Sequence, residues 1–252
     1  MTRLEPNSIY NGNCFNLLPL IPDGSIDCII TDPPYNTTNC KWDVAIDLET
    51  LFREFERIVK PNGAVVVFCS FKFGVDCVNA CKGKLKFRYD LVWEKSKPVG
   101  YFDANNRQLR NHENVIIFSV NEMREIIFNP QMTYGKPYFS KGQNKPNAES
   151  YFNTKRIDTI NAGLYYPVSI LHGQNGLSNS VHPTQKPVSL LEYLIATYSN
   201  EGDLILDPFL GSGTTAVACR NLKRKYIGFE LHEDYYDICV KRLNEPLQER
   251  MF

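Results

Sequence analysis

No stretch of this chain approaches the roughly 18 consecutive apolar residues that a membrane-crossing helix requires. Its first residues, Met1-Thr2-Arg3-Leu4-Glu5-Pro6, lack the apolar core of a signal peptide. These absences lead to the expectation of a cytoplasmic protein with no membrane partner. Net charge is also missing, since 28 basic residues balance 28 acidic ones. A nucleic-acid partner would therefore need a local basic surface. Histidine is scarce: His112, His172, His182 and His232 are dispersed, and Cys77-x3-Cys81 has no second pair at zinc-like spacing. No metal is expected. The eight cysteines do not argue for disulfides, because Cys28, Cys69, Cys219 and Cys239 sit in apolar, element-like segments where small buried thiols are common.

What is present suits one α/β domain with an insertion: 28.9 kDa, with 43% apolar and 22% charged residues. Ile26 to Thr31 reads as a buried strand. Apolar residues at Leu48, Leu51, Phe52, Phe55, Ile58 and Val59 follow a helical period, with Asn62-Gly63 as the expected stop. Ala64 to Phe68 is a continuous apolar run, as in a sheet covered on both faces. Further strands are expected at 87–93, 114–120, 203–206 and 225–229, and helices at 188–198, 213–222 and 233–243. The stretch 121–181 is different, with Pro130, Pro137, Pro146 and Pro167, many aromatics and no sustained period. We read 1–120 with 182–252 as one domain and 121–181 as an irregular insert. Between Lys82 and Arg110, eight basic residues face three acidic ones, a candidate basic surface or simply a solvated face.

Two segments carry chemistry. Asp32-Pro33-Pro34-Tyr35 follows the first buried strand. An exocyclic amino group on a base is a poor nucleophile, and acceptors that pull on its N–H bonds help it. The Asp32 carboxylate and the Pro33 carbonyl are such acceptors, while Pro33 and Pro34 remove competing backbone donors. Tyr35 offers a face for stacking, and the base would have to leave its duplex to reach it. Asp-Pro-Pro-x also serves as a plain strand-ending turn. The second segment, Asp207-Pro208-Phe209-Leu210-Gly211-Ser212-Gly213-Thr214-Thr215, turns from strand to helix with glycines that admit a close ligand. It lacks the third glycine of a dinucleotide fingerprint. An acidic residue, Glu230, stands roughly twenty residues on, where ribose hydroxyls are held in nucleoside sites.

The pair of motifs resembles the β group of DNA amino-methyltransferases, in which Asp-Pro-Pro-Tyr precedes the glycine loop. The resemblance covers about three quarters of the chain. It implies a Rossmann-like, doubly wound, mostly parallel seven-stranded sheet with permuted motif order, S-adenosylmethionine as cofactor, and double-stranded DNA as partner. It implies catalysis at Asp32, Pro33, Pro34 and Tyr35. It also implies cofactor contacts from Asp32, Asp207, Phe209, Gly211, Ser212, Gly213, Thr214 and Glu230. In His182-Pro183-Thr184-Gln185-Lys186-Pro187, Lys186 would meet the methionine carboxylate. Asn13 stands where the family often has an acid, with Cys14 beside it. His112 and Glu113 fall in a segment placed near the target base. The insert would read the DNA sequence. A homodimer and a cognate restriction endonuclease are further partners the family allows. Adenine N6 is the expected target, because cytosine-N4 members more often have serine in place of Asp32. Cytosine N4 is the alternative, and a nicotinamide-dependent oxidoreductase is a more distant one.

Overall fold

The structure is a computed structural model, and it describes residues 4–36, 44–142, 158–172 and 185–245. In chain order the first part runs β1 (Ser8–Asn11), α1 (Cys14–Leu17), β2 (Ile26–Thr31), α2 (Leu48–Ile58), β3 (Val59–Cys69), α3 (Phe71–Ala80), β4 (Lys86–Val99) and β5 (Arg110–Ser119). Four short strands follow: β6 (Thr133–Tyr134), β7 (Tyr138–Ser140), β8 (Thr159–Asn161) and β9 (Leu164–Tyr165). The chain then adds β10 (Ile170–Leu171), α4 (Val188–Tyr198), β11 (Leu204–Asp207), α5 (Thr214–Asn221), β12 (Lys225–Glu230) and α6 (Glu233–Asn244).

One sheet organises the larger unit, in the order β1-β12-β11-β2-β3-β5-β4-β10. From β1 to β3 all neighbours are parallel, and β5 runs against both β3 and β4. The expected seven strands gain an eighth, because Ile170–Leu171 adds to the outer side of β4 opposite Val92 and Trp93. The sheet is covered on both faces. Ile29, Val65, Val67 and Phe118 pack with Phe52 and Phe55 of α2 and Phe73 of α3. Cys28, Ile30, Val66 and Val115 pack with Leu190, Leu194 and Ile195 of α4 and Cys219 of α5. Strand alternation sends Ile29 to one face and Cys28 and Ile30 to the other, so every residue of β2 is buried.

α2 stops at Ile58, earlier than the expected Asn62-Gly63 stop. Val59 is already extended, at φ −73°, ψ 139°, and Pro61 disfavours helical backbone at Lys60. Gly63 lies inside β3 and has another reason to be glycine: a Cβ there would sit 2.5 Å from the carbonyl oxygen of Asp27. The smaller unit, Pro130–Val168, lies within the irregular interval of the sequence. In it β6 pairs antiparallel with β9, and β7 with β8. Its rings of Tyr138 and Tyr165 meet at 5.9 Å between centroids. No helix among the described residues is long and apolar enough to cross a membrane. Among these residues no three His, Cys, Asp or Glu side chains gather as a metal site would need.

Candidate active site

The carboxyl ends of the parallel strands open into a cavity of about 860 Å³ within the larger unit. Ligands of open α/β sheets bind at this end, and the volume is that of a small-molecule site. Asp32, Pro33, Pro34 and Tyr35 line it from the end of β2. Asp207, Phe209, Gly211, Ser212 and Thr214 line it from the β11–α5 turn, as do Glu230 from β12 and Asn13 and Cys14 from the start of α1. Two motifs that are remote in the chain thus converge because β2 lies directly beside β11, Cys28 opposite Ile205 and Ile29 opposite Leu206.

At the β2 end the carboxylate of Asp32 is held from two sides. Tyr35 Oη donates to Asp32 Oδ1 at 2.6 Å, and Lys186 Nζ donates to Oδ2. The Tyr35 ring lies on Phe73, with centroids 4.9 Å apart. Burial, and then the charge of Asp32, push the Tyr35 phenol well above its ordinary value, so it remains a donor. Lys186, assigned by the resemblance to the methionine carboxylate, has its Nζ within reach of two of the chain's own carboxylates. The second is Glu113, with Nζ 3.2 Å from Oε2. Lys95 Nζ in turn donates to Glu113 Oε1. Lys186 also lies 5.0 Å above the centroid of the Phe68 ring.

The result is a row of alternating charge: Asp32, Lys186, Glu113, Lys95. Burial alone would lower the Lys186 pKa, but Asp32 and Glu113 outweigh it and hold the ammonium above its ordinary value. Burial would raise Glu113, but Lys186 and Lys95 pull it below its ordinary value. Of the two residues 112 and 113, only Glu113 lines the cavity. Successive side chains of β5 face opposite ways, which separates it from His112.

The glycine loop is shaped by partners around it. Gly211 and Gly213 adopt φ of +56° and +82°, which side-chain-bearing residues rarely reach. A Cβ on Gly213 would also meet Cys239 Sγ at 3.1 Å. Gly211 N donates to Glu230 Oε2, and His232 N to Glu230 Oε1, both at 2.8 Å. Arg242 of α6 donates to the carbonyl and hydroxyl of Ser212 and to the hydroxyl of Thr214, 3.3 Å away. Asn13 caps α1, its Oδ1 accepting from Phe15 N at 2.9 Å. Burial pushes the Cys14 thiol up to about 12, so it stays protonated at neutral pH.

Asp207 sits behind the loop, accepting from Phe209 N at 3.1 Å and from Thr215 Oγ1 at 2.6 Å. Burial dominates these bonds and raises its pKa to about 7 from 3.8. A group whose folded pKa is raised in this way binds a proton more tightly in the folded state, so its contribution to stability falls as pH rises from 3.8 towards 7. Asp207→Asn removes that dependence. Between pH 5 and 8 the variant should gain about 2–3 kcal/mol relative to wild type, at about 1.4 kcal/mol per pKa unit. Parallel urea titrations at both pH values measure the gain, and a constant difference would show that Asp207 is ionised throughout.

Among the lining residues that sequence reading did not single out are Lys95, Phe68 and Arg107. Lys95 and Arg107 were visible only as members of a basic stretch, and Arg110 also as the first residue of the segment that holds His112 and Glu113. Their placement depends on the β4–β5 register, in which Trp93 faces Glu113 and Val99 faces Arg110.

A family model described as DNA methylase matches residues 26–241. The chain is 28% identical to the type II methyltransferase M.BglII of Bacillus subtilis, over 98% of this chain and 71% of that protein. It is 29% identical to the type II methyltransferase M.HinfI of Haemophilus influenzae, over 95% and 68% respectively. Among solved structures, the M1.HpyAVI–SAM complex superposes with a TM-score of 0.65 at 26% identity, covering 94% of this chain and 99% of that one. The PvuII DNA methyltransferase, cytosine-N4-specific, shares the fold with a TM-score of 0.67 at 19% identity, over 98% and 89%.

Proposed function

Because the chain belongs to the N6/N4 family of DNA methylases, we propose that it transfers a methyl group from S-adenosylmethionine to N6 of an adenine rotated out of duplex DNA. The observation that carries the choice of adenine is a carboxylate, Asp32, at the mouth of β2, where the family's cytosine enzymes more often carry serine. Restriction–modification is the setting that the type II relatives suggest, with a nuclease of the same specificity as the other partner.

The donor's chemistry suits the lining. On the glycine-loop side of the cavity the charged side chains are Asp207 and Glu230, both acidic, a setting for a ligand with hydroxyl groups rather than for a diphosphate. The N–H of Gly211, which a dinucleotide loop would aim at phosphate, is already donated to Glu230. That bond argues against the nicotinamide alternative. Glu230 is placed for the ribose hydroxyls, and Phe209, Gly211, Ser212 and Thr214 for the rest of the nucleoside and the amino-acid chain. Bound there, S-adenosylmethionine supplies an electrophilic methyl on sulfonium, which departs as a neutral thioether when a lone pair takes the methyl.

The protein's own part is to make the amine's lone pair available. Among the described residues each Asp32 oxygen has one partner, and a carboxylate oxygen has room for another. One N–H of the amino group donates to Asp32 and the other to the carbonyl of Pro33, which draws the nitrogen towards a pyramidal shape. Tyr35 fixes Asp32 through its hydroxyl and bounds the base site with its ring. As the methyl–sulfur bond breaks and the methyl–nitrogen bond forms, the nitrogen gains a positive charge and loses one proton, through Asp32 to solvent. No covalent bond to the enzyme is needed, so the rate comes from positioning and electrostatics.

The test incubates the protein with labelled S-adenosylmethionine and mixed-sequence duplex DNA, then separates the nucleosides. N6-methyladenine is the expected product. N4-methylcytosine would keep the mechanism and overturn the base, and unlabelled DNA would overturn DNA methylation by this chain.

A further inference from the structure

β4 and β5 outrun the sheet. β3 pairs with β5 only from Asn114 to Ser119, whereas the β4–β5 ladder continues to Val99 opposite Arg110. The extra length forms an arm beside the cavity, and Val99, Gly100, Arg107 and Arg110 form part of the cavity wall. At its tip a single turn of 3-10 helix, Tyr101–Asp103, is braced by Arg107, whose Nη2 lies 2.9 Å from Asp103 Oδ2. The turn presents two aromatic rings to water. Tyr101 is 64% exposed and Phe102 is 106% exposed, the highest value of any large apolar side chain among the described residues.

An apolar ring on a convex, braced tip is not covered by the chain that carries it. Its surroundings are basic: Lys97, Arg107 and Arg110 outnumber Asp103 beyond residue 96 of the arm. Among the described residues the side chain of Arg110 has no hydrogen bond or ion pair, although it is half-buried at the cavity wall. Rings projecting from a basic arm match a stack of bases flanked by phosphates. A base that rotates out leaves a gap in that stack, and proteins that distort DNA insert apolar side chains at such steps.

We propose that this arm is the wedge that opens the duplex: Phe102 enters the base stack at the step the target base vacates, and Arg110 takes a phosphate of the rotated nucleotide. The proposal rests on the methylation of duplex DNA argued above. The arm belongs to β4 and β5, on the far side of β2 from β11 and β12, whose ends carry the glycine loop and Glu230. We assign Arg110 to the DNA strand rather than to the methyl donor on that separation.

The test uses the target site mapped on DNA methylated by the wild type. Two duplexes are compared, one with the target base paired and one with an abasic site opposite it, where leaving the stack is easier. Phe102→Ala should lower kcat/KM on the paired duplex by about 10- to 100-fold. On the abasic duplex it should stay within about threefold of wild type, and Phe102→Trp should keep most activity on both. Titration with S-adenosylhomocysteine should give unchanged affinity, which excludes a folding defect. Arg110→Gln should reduce the slope of log affinity against log salt by about one. Equal rates for Phe102→Ala and wild type on the paired duplex, or an equal loss on both duplexes, would overturn the wedge. Wild-type protein that methylates no DNA, so that no site can be mapped, would overturn the methylation reading itself.

Discussion

Asp32→Ala will lower single-turnover methyl transfer by on the order of 10²–10³-fold, while affinity for DNA and for S-adenosylhomocysteine stays within a few-fold. The asymmetry follows from where Asp32 sits. Its side chain is 28% exposed at the cavity, and its side-chain partners among the described residues are Tyr35 and Lys186. Its loss leaves Lys186 beside Glu113, so no charge is abandoned in the interior. The acceptor for the amino N–H is what disappears. Asp32→Asn separates geometry from charge: it keeps one oxygen but replaces the other with a donor facing Lys186. It should be slow as well. Transfer at the wild-type rate by either variant would remove Asp32 from the chemistry.

Lys186→Met has the opposite profile, with a large effect on stability. Lys186 is nearly buried and stands between Asp32 and Glu113. Removing one partner of a buried ionic group costs about 3–5 kcal/mol, and the lower end applies because Asp32 remains partly solvated and Lys95 still pairs with Glu113. In wild type, Glu113 is held below its ordinary value of 4.5, so its stabilisation is present above pH 4.5 and is lost as pH falls below it. Lys186 is held above 10.5, so its stabilisation is present below that pH and is lost as pH rises through the elevated value. In the variant Glu113 keeps only Lys95 against its burial. Its deficit should be full at pH 8 and shrink towards pH 4 as Glu113 takes up a proton. A deficit independent of pH would mean that the methylene chain of Lys186, and not its charge, does the stabilising.

Much of this site is legible in the sequence, for identifiable reasons. β2 and β11 are short, largely apolar runs leading into acid-proline turns, so Asp32 and Asp207 announce themselves as strand-end residues. Gly211 and Gly213 show by their type that the backbone takes positive φ. The charge row was hidden because Lys95 and Glu113 meet only through the register of two long antiparallel strands. Glu94-Lys95-Ser96-Lys97 gave no strand signal, since β4 there has passed the sheet edge and lost its alternation. α3 went unread for a related reason. Phe71, Val75 and Val78 are apolar but exposed, and they blur the period set by Phe73 and Cys77, with Gly74 in between. The stop of α2 was misplaced because Asn62-Gly63 reads as a turn, whereas Pro61 had already ended the helix.

The pairing of β2 with β11 governs how the molecule is made as well as what it does. Asp32, Lys95 and Glu113 precede Pro130, whereas Lys186, the glycine loop and Glu230 follow Val168. During synthesis the half carrying Asp32 emerges first, with β2 lacking the neighbour that completes the sheet. Contacts between partners this distant in sequence form slowly. On the proposed assignment neither half would hold the methyl donor and an acceptor for the base together, so a truncated chain is expected to be inactive. The same division makes Pro130–Val168 a natural place to cut the gene in two. Activity would then report the meeting of two separately expressed pieces.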